Sequence, residues 1–562
     1  MYNPHFVLSV KAHVQKKLTS VLPCNEINFP LWGELKQYNL ADPTWKTPGK
    51  IDILLSSSVY SKVLKQGLCR GWILSGEVTE KEEHIESCNY LTVEADHNDL
   101  IKKFWELEET WVPKKHFTKE EQECEAFFKQ TTQRDSEGRY IVRLPFKTAT
   151  PQCLINKGHV VYLPHHAVIR EDKTTSKVRV VFDASTLGRN GVSLNSELMV
   201  GPNLQADLRH IIMRWRLHPI CIISDIVKMY RQVLISTEDT DYQRILWRQD
   251  SKDEIQHLRL LRLTFGTASA PFLAIRTLHQ IAHDEGDRFP IAREITLSDF
   301  YMDDLMTGCQ NISEGKEIYY QMKQLLAKGG FDLQKWKSNN SELMKHMREG
   351  KEEGEENLEL KTDIVMKILG LTWSREVDEF VYTVKLPPLK IPVTKRSVIS
   401  HISMLFDPLG WLAPVIIKAK ILIQKLWLCG IKWDQELPSI LLTEWCTYRS
   451  ELEQLVQYRI PRWLRTYRGD TLELHGFSDA SNQAYAAVVY IRVIDQQDDV
   501  YSRLVTAKTK VAPIKQVSIP RLELCGAVLV SKLLCEVAEI LNIDKKKIYA
   551  WTDSTVVLAW LS

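Results

Sequence analysis

The chain lacks most of the features that would place its 562 residues in a special class. Its formal net charge is only +2, so no whole-chain field draws it to a polyanion, and any basic channel has to be local. Its 11 cysteines are scattered, with no C-x-x-C pair and no Cys/His spacing of the zinc type. That pattern excludes a disulfide framework and reads as a reducing, intracellular protein. The start, MYNPHFVLSVKAHVQKK, has no long apolar core behind a basic end, so no signal peptide is expected. Long apolar runs are missing too. The most apolar stretch, WLAPVIIKAKILIQKLWL (411–428), is interrupted by Lys418, Lys420 and Lys425 at the spacing of an amphipathic helix, which predicts a soluble protein with no membrane partner. Internal repeats are absent.

What is present is ordinary globular composition, 44% hydrophobic and 26% charged, over several times the usual domain length, so three or four domains with cores are expected. GKIDILLSSSVYSKVL (49–64) and GWILSGEV (71–78) read as strands of a small β unit. A charged, helical connector follows to about 150. Between 158 and 340, strand-like segments (VVYLPHHAVI, VRVVFDAS, CIISDIVKM, RILW, ITLSDFYMDDLMTG) alternate with helical ones (NLQADLRHIIMRWRL, PFLAIRTLHQIAHDEG, GKEIYYQMKQLLAKGG), as in an α+β domain with a sheet floor. SELMKHMREGKEEGEENLELK (341–361) reads as a solvated loop or mobile insertion. Helical material runs from 394 to about 460, and LELHGFSDASNQAYAAVVYIRV (472–493) restarts a strand pattern and a new domain.

Two constellations of acids carry chemistry. In the first, CIISDIVKMYRQVLI (221–235) is an apolar strand broken by Asp225, and YMDD (301–304) sits where a tight hairpin would turn. A carboxylate in an apolar strand is costly unless it is paired or binds metal. Asp225 beside Asp303 and Asp304 would offer the oxygen ligands that Mg²⁺ takes, with Mn²⁺ as a substitute, for nucleotidyl transfer by two ions. Taken alone, Asp-Asp in a turn is also plain turn chemistry.

The flanks give these acids a frame. KVRVVFDAS (177–185), Asp225 with Tyr230, LTFGTASAPF (263–272), YMDDLMTG, FDLQKWKSN (331–339) and ILGLTW (368–373) follow one another as the elements of a polymerase palm do, and in this the chain resembles reverse transcriptases. More narrowly, YLPHHAVIREDKTTSKVRVVFDAS, SLNSELMVGPNL (193–204) and LFDPLGWLAPVIIKAK (405–420) resemble phrases of the BEL/Pao group of LTR retrotransposons. The resemblance implies a right-hand polymerase in which Asp225 and Asp303 bind metal directly while Asp304 supports the hairpin. It implies Lys177 and Arg179 on the triphosphate, Tyr230 under the sugar excluding a ribose 2′-hydroxyl, Gly266 and Ser269 letting backbone approach the nucleotide, and Lys335 adding positive charge. His165 and His166 read as structural.

The second constellation is Asp479 in HGFSDAS, Glu523 in IPRLELCGAVLVSKLL and Asp553 in AWTDSTVVLAWL. Pro520 opens the helix, and Leu522, Leu529, Leu533, Val537 and Ile540 form its apolar stripe, with Glu523 beside it. Strand Asp, helix Glu, strand-end Asp resembles the acidic order of ribonuclease H, another two-metal phosphodiester site. Three unrelated surface acids are the plain alternative.

The resemblance therefore implies a multidomain α+β chain. A C-terminal remnant of a retropepsin-like β domain would span 1–78, a helical connector 79–150, fingers and palm 151–375, and thumb or connection 376–465. An RNase H-like α/β domain would fill 470–562, expected to be C-terminally truncated because the family continues to a fourth acid, and so to be an incomplete nuclease. Neither Asp-Thr-Gly nor Asp-Ser-Gly occurs, so no protease activity is expected. The implied partners are an RNA template, a DNA primer, an RNA:DNA hybrid and dNTPs, and the implied place is the cytoplasm, in a retrotransposon particle. A catalytically inactive relic that binds nucleic acid or a protein partner is the competing reading.

Overall fold

The computed structural model describes residues 117–562, apart from 149–159, 170–177, 189, 251, 349–364, 369–370, 383, 385, 390 and 403–404, and all of them fall within one compact unit, Glu109–Ser562. The β unit expected at 1–78, most of the connector and Lys177 lie outside the described residues, as does the side chain of Arg179.

A capping box at Thr118 and Glu121 starts α1 (Lys119–Thr131), which buries Cys124 and Phe128. Then come β1 (Gln133–Arg134) and β2 (Tyr140–Val142). Tyr140, Val142 and Leu144 lie in the same core as the later palm strands, so the chain from 117 onward packs with the polymerase-like body despite the boundary expected at 150. β3 (His165–Ile169) pairs antiparallel with β4 (Val178–Phe182).

Asp207 caps α2 (Leu208–Trp215), whose Ile211, Ile212, Met213 and Trp215 are buried. It leads to β5 (Ile220–Ile226), β6 (Leu234–Ile235) and the hairpin β7 (Arg244–Trp247) with β8 (Gln256–Arg259). Next are α3 (Ala270–Glu285), α4 (Pro290–Ser298), β9 (Phe300–Tyr301), β10 (Asp304–Cys309), α5 (Ile312–Ala327), β11 (Leu333–Ser338) and α6 (Ser341–Arg348).

Two expectations fail here. ITLS is the last turn of α4 and not a strand. Pro290 opens that helix, and Ala292, Ile295 and Thr296 turn one face inward, which overrides the strand preference of β-branched residues. Likewise the charged stretch from 341 begins as helix, because Leu343, Met344 and Met347 share a buried face of α6.

The palm sheet has the order β11-β5-β10-β9 with every pair antiparallel. Its centre, β5, is buried on both faces. Ile222 and Ile226 enter the first core, whereas Cys221 and Ile223 enter a second core shared with Trp215 and Trp373 and with Val489, Ile491 and Leu533 far along the chain. A second sheet runs β12 (Val365–Ile368), β13 (Leu371–Ser374), β14 (Glu379–Val381) and β15 (Arg459–Pro461). Between β14 and β15 the chain makes a helical excursion of α7 (Lys395–Ile402), α8 (Ala413–Leu428) and α9 (Ser439–Glu451) around Leu422, Leu426 and Trp445. Among the described residues no helix is long and apolar enough to cross a membrane.

The last sheet has the order β18-β17-β16-β19, from β16 (Thr471–Ala480), β17 (Ala484–Ile494), β18 (Val500–Val511) and β19 (Ile548–Thr552). β19 runs parallel to β16, and α10 (Ile519–Leu541) crosses between β18 and β19 before α11 (Thr555–Leu561). Leu522, Leu529, Leu533 and Val537 of the expected stripe are buried. The helical excursion is fastened to the edge of this sheet, where Lys420 Nζ donates to the Thr509 carbonyl at 3.1 Å and Gln424 Nε2 to that of Ala512 at 2.8 Å.

Polar contacts lock the bodies. Arg216 donates to the carbonyls of Arg462, Val505 and Pro461 at 2.9, 3.1 and 3.2 Å. Arg462, fully buried, forks onto Asp378 at 2.6 and 2.7 Å and reaches the carbonyls of Trp215, His218 and Pro219. Arg209 and His210 of α2 both meet Glu536 of α10 at 2.9 Å. Removing one partner of such a buried pair strands the other charge. Asp378→Ala should therefore lower unfolding free energy by about 3–5 kcal/mol, read as a drop in urea midpoint; an unchanged midpoint would discard this account of the junction.

Candidate functional site

The first acids meet by strand register. β9 and β10 are joined by a two-residue turn, Met302–Asp303, and Asp304 lies opposite Tyr301 on one side and Asp225 on the other. Met302 has φ +55°, a conformation that L residues avoid and that glycine usually supplies at the first position of such a turn. Ile226 N–H donates to the Asp303 carbonyl at 2.8 Å, which ties the turn to the end of β5. On the outer edge of β9, Gln205 accepts from Met302 N–H at 2.8 Å and donates to the Phe300 carbonyl at 3.1 Å.

Lys335 sits where the β5–β11 register is interrupted, with φ +57°, and its ammonium reaches Asp225 Oδ2 at 2.6 Å. The lysine is 67% exposed and Asp225 23%, so water screens the pair and a competing cation has access. Burial first, then the charges of Asp303 and Asp225, push the Asp304 carboxyl up from 3.8 to about 6, with Lys335 pulling the other way. Asp225, Asp303 and Asp304 brought together here offer the oxygen ligands that a divalent cation takes.

The remaining candidates of this site surround the hairpin. Tyr230 is half-buried, edge-on to Phe265 with ring centroids 6.5 Å apart, and burial followed by the Asp303 charge raises its hydroxyl to about 12. Gly266 has φ +99°, and a Cβ there would stand 2.4 Å from the Phe182 carbonyl, so only glycine lets this loop lie on β4. Ser269 is fully buried at the start of α3, its hydroxyl without a hydrogen-bond partner. Asn195 clamps the loop, donating to the Gly266 carbonyl at 3.0 Å and accepting from Ala268 N–H at 2.7 Å. Neither Asn195 nor Gln205 stands out in the sequence, because each acts only through backbone brought to it by the fold.

The second acids are drawn closer. Parallel pairing sets Ser478 beside Thr552, so Asp479 and Asp553 follow at the same level, and α10, just past its first turn, brings Glu523 to them. Ligand oxygens of Asp479, Glu523 and Asp553 all lie within 4.8 Å of one another, the only such set among the described residues. Gly476 makes this approach possible, since a Cβ there would stand 2.6 Å from both Val530 and Leu534 of α10. Glu523 is 7% exposed and its Oε2 is buried without a partner, whereas Asp479 and Asp553 are open to solvent. Burial, then Asp479, then Asp553, raise the Glu523 carboxyl above its ordinary value. An orphaned buried oxygen among three carboxylates fits a hard divalent cation.

Residues 172–373 match the family model of the reverse transcriptase (RNA-dependent DNA polymerase), and residues 394–554 match that of the Pao retrotransposon-like RNaseH-like domain. The first acids fall in the former segment and the second in the latter, which also takes in the helical excursion. No curated protein matches the chain. Among solved structures it is similar to the foamy viral protease-reverse transcriptase dRH in complex with ds DNA, at 14% identity and TM-score 0.46, covering 72% of this chain and 61% of that one. It is also similar to the foamy viral protease-reverse transcriptase in complex with RNA/DNA hybrid, at 14% identity and TM-score 0.42, covering 70% and 50%. The chain thus spans between half and two thirds of the length of these proteins.

Because Asp304 binds its proton more tightly when folded than when unfolded, its own contribution to metal-free stability should fall as pH rises from about 4 to about 6. Asp304→Asn should flatten that slope in urea midpoints taken across the interval; an identical slope would clear Asp304 of the effect. At the other cluster, Glu523→Gln relieves repulsion among three acids, so it should raise the metal-free melting temperature while abolishing the stabilisation that added Mn²⁺ gives through this site. A variant that melts lower, or keeps the full Mn²⁺ response, would contradict the assignment.

Proposed function

We propose that this chain, a reverse transcriptase domain continued by a Pao retrotransposon-like RNase H-like domain, is an RNA-directed DNA polymerase that extends a DNA primer on an RNA or DNA template from dNTPs. The observation that carries this reading is the register of the palm sheet, which sets Asp225 opposite Asp304 with Asp303 at the turn, inside the segment matching the reverse transcriptase family.

Asp225 and Asp303 would hold the metal ions, Mg²⁺ or Mn²⁺, with Asp304 behind them. Bound divalent ions activate the primer 3′-hydroxyl and neutralise the departing pyrophosphate. Burial and the neighbouring carboxylates raise the Asp304 carboxyl to about 6, so a bound cation would favour its ionised form. Lys335 neutralises Asp225 in the metal-free chain, and its ammonium is free to turn to a phosphate once a cation takes that carboxylate. Lys177 and Arg179 would grip the triphosphate. Tyr230 offers a ring edge in place of the space a ribose 2′-hydroxyl needs, so dNTPs are preferred, and the Gly266 loop above Ser269 gives the base a close backbone wall. Binding of primer and template weakens with salt as phosphate contacts are screened. The cellular setting that fits is the cytoplasm, in the particle of an LTR element.

The Asp479, Glu523 and Asp553 cluster supports a second activity, hydrolysis of the RNA strand of an RNA:DNA hybrid, because the unpartnered Glu523 oxygen awaits a ligand beside two open carboxylates.

Primer extension on poly(rA)/oligo(dT) with Mg²⁺ tests the main reading. Wild type should incorporate dTMP, and Asp303→Asn should fall by about 100-fold or more, since a metal site supplies several kcal/mol of transition-state stabilisation. Equal incorporation by both proteins, or none by wild type, would defeat it. Hybrid RNA should be cut by wild type and spared by Glu523→Gln; cutting that survives the substitution would remove the second site.

A further inference from the structure

β9 is the outer strand of the palm sheet and only two residues long, so its outward backbone groups have no neighbouring strand. Tyr301 pairs with Asp304 across the turn, which leaves the Phe300 carbonyl and the Met302 N–H facing away from β10. Both are met by one side chain. Gln205 Oε1 accepts from Met302 N–H at 2.8 Å, and Gln205 Nε2 donates to the Phe300 carbonyl at 3.1 Å and to the Ala206 carbonyl at 3.0 Å. The carboxamide presents one acceptor and one donor in the order in which a peptide group of an added strand would present them. It is therefore a strand one peptide long, closing the edge of the hairpin that carries the acids.

We infer that Gln205 is a positioning residue for the metal-binding hairpin, fixing the left-handed turn at Met302 and through it the placing of Asp303 and Asp304. The inference rests on the reading of that hairpin as the polymerase metal site. A turn residue at φ +55° persists only where its surroundings hold it there. Two supports are visible. The inner one is the Ile226 N–H bond to the Asp303 carbonyl, and the outer one is Gln205. With the outer support removed, Met302 can relax toward negative φ, and the carboxylates leave the line set by Asp225.

Gln205→Leu removes both bonds at similar volume, and Gln205→Glu keeps the acceptor for Met302 N–H while setting a carboxylate against the Phe300 carbonyl. Primer extension by each variant is measured across Mg²⁺ concentrations beside wild type, with melting temperature, and Mn²⁺ binding by electron paramagnetic resonance is compared with all proteins also carrying Glu523→Gln, which removes the other Mn²⁺ site. Gln205→Leu should raise the half-saturating Mg²⁺ concentration and weaken Mn²⁺ binding about ten-fold, the factor expected when two hydrogen bonds are lost from a preorganised site. KM for the template-primer should stay as in wild type. Gln205→Glu should recover relative to wild type as pH is lowered toward the glutamic acid range, because the protonated carboxyl regains a donor for the Phe300 carbonyl. A protein that loses melting temperature but keeps wild-type metal affinity and a flat pH ratio would overturn the inference and leave Gln205 a fold residue. Wild type without polymerase activity would instead overturn the reading beneath it.

Discussion

Two guanidinium groups buried beside one another hold the molecule together. Arg216 leaves the end of α2 and Arg462 the end of β15, and between them they bind backbone carbonyls from the palm, from the β14–β15 edge and from β18. Arg462 has a carboxylate partner in Asp378, whereas Arg216 has carbonyls and the face of Trp411, 4.8 Å from its guanidinium carbon, and burial followed by the Arg462 charge pulls its pKa down to about 9. A charge so placed is tolerated only while every donor is used. The apolar side of the junction repeats the point, for one core runs without a break from Cys221 and Ile223 of the palm to Val489 and Leu533 of the last domain.

That continuity places the two acid sites differently. In the palm, Asp303 and Asp304 stand on a hairpin at the sheet's edge and Asp225 on the inner strand beside it, their charge tempered by Lys335 and by the burial that raises the Asp304 carboxyl to about 6. In the last domain they stand where two parallel strands and a helix converge, which draws their oxygens within 4.8 Å. The sequence favours the first site, since more motifs frame it, yet the tighter metal-free cluster is the second. The difference is mechanical. A hairpin turn can move against its sheet, whereas Glu523 near the start of a long helix cannot be withdrawn without moving Leu522 and the stripe behind it.

Much of this was legible beforehand, for reasons that vary by element. Asp225 announced itself as a charge in an apolar strand, and YMDD as a turn between strands, because both signals are local. The helix of Glu523 was readable from Pro520 and its leucine stripe. ITLS misled because β-branched residues mimic a strand when the buried face of α4 is not in view. The helix hidden in the charged run after 341 misled because three apolar residues decided its fate among many polar ones. Lys335 could be marked as a charge, but its left-handed backbone and its grip on Asp225 come from an interruption in strand pairing that no local pattern encodes. Gln205, Asn195 and the paired arginines were silent for the same reason, their partners being distant in sequence.

The long reach of the second core also has a consequence in time. The Arg216 side chain and the Val505 carbonyl it meets are 289 residues apart. At roughly 5–20 residues per second, the ribosome completes α2 roughly 15–60 seconds before the strand that covers it exists. Trp215 gains Trp373 and Phe380 earlier, but for that interval the part of this core that the last domain supplies is missing, so the growing chain is a client for whatever holds nascent apolar surface in solution until β18 and α10 arrive.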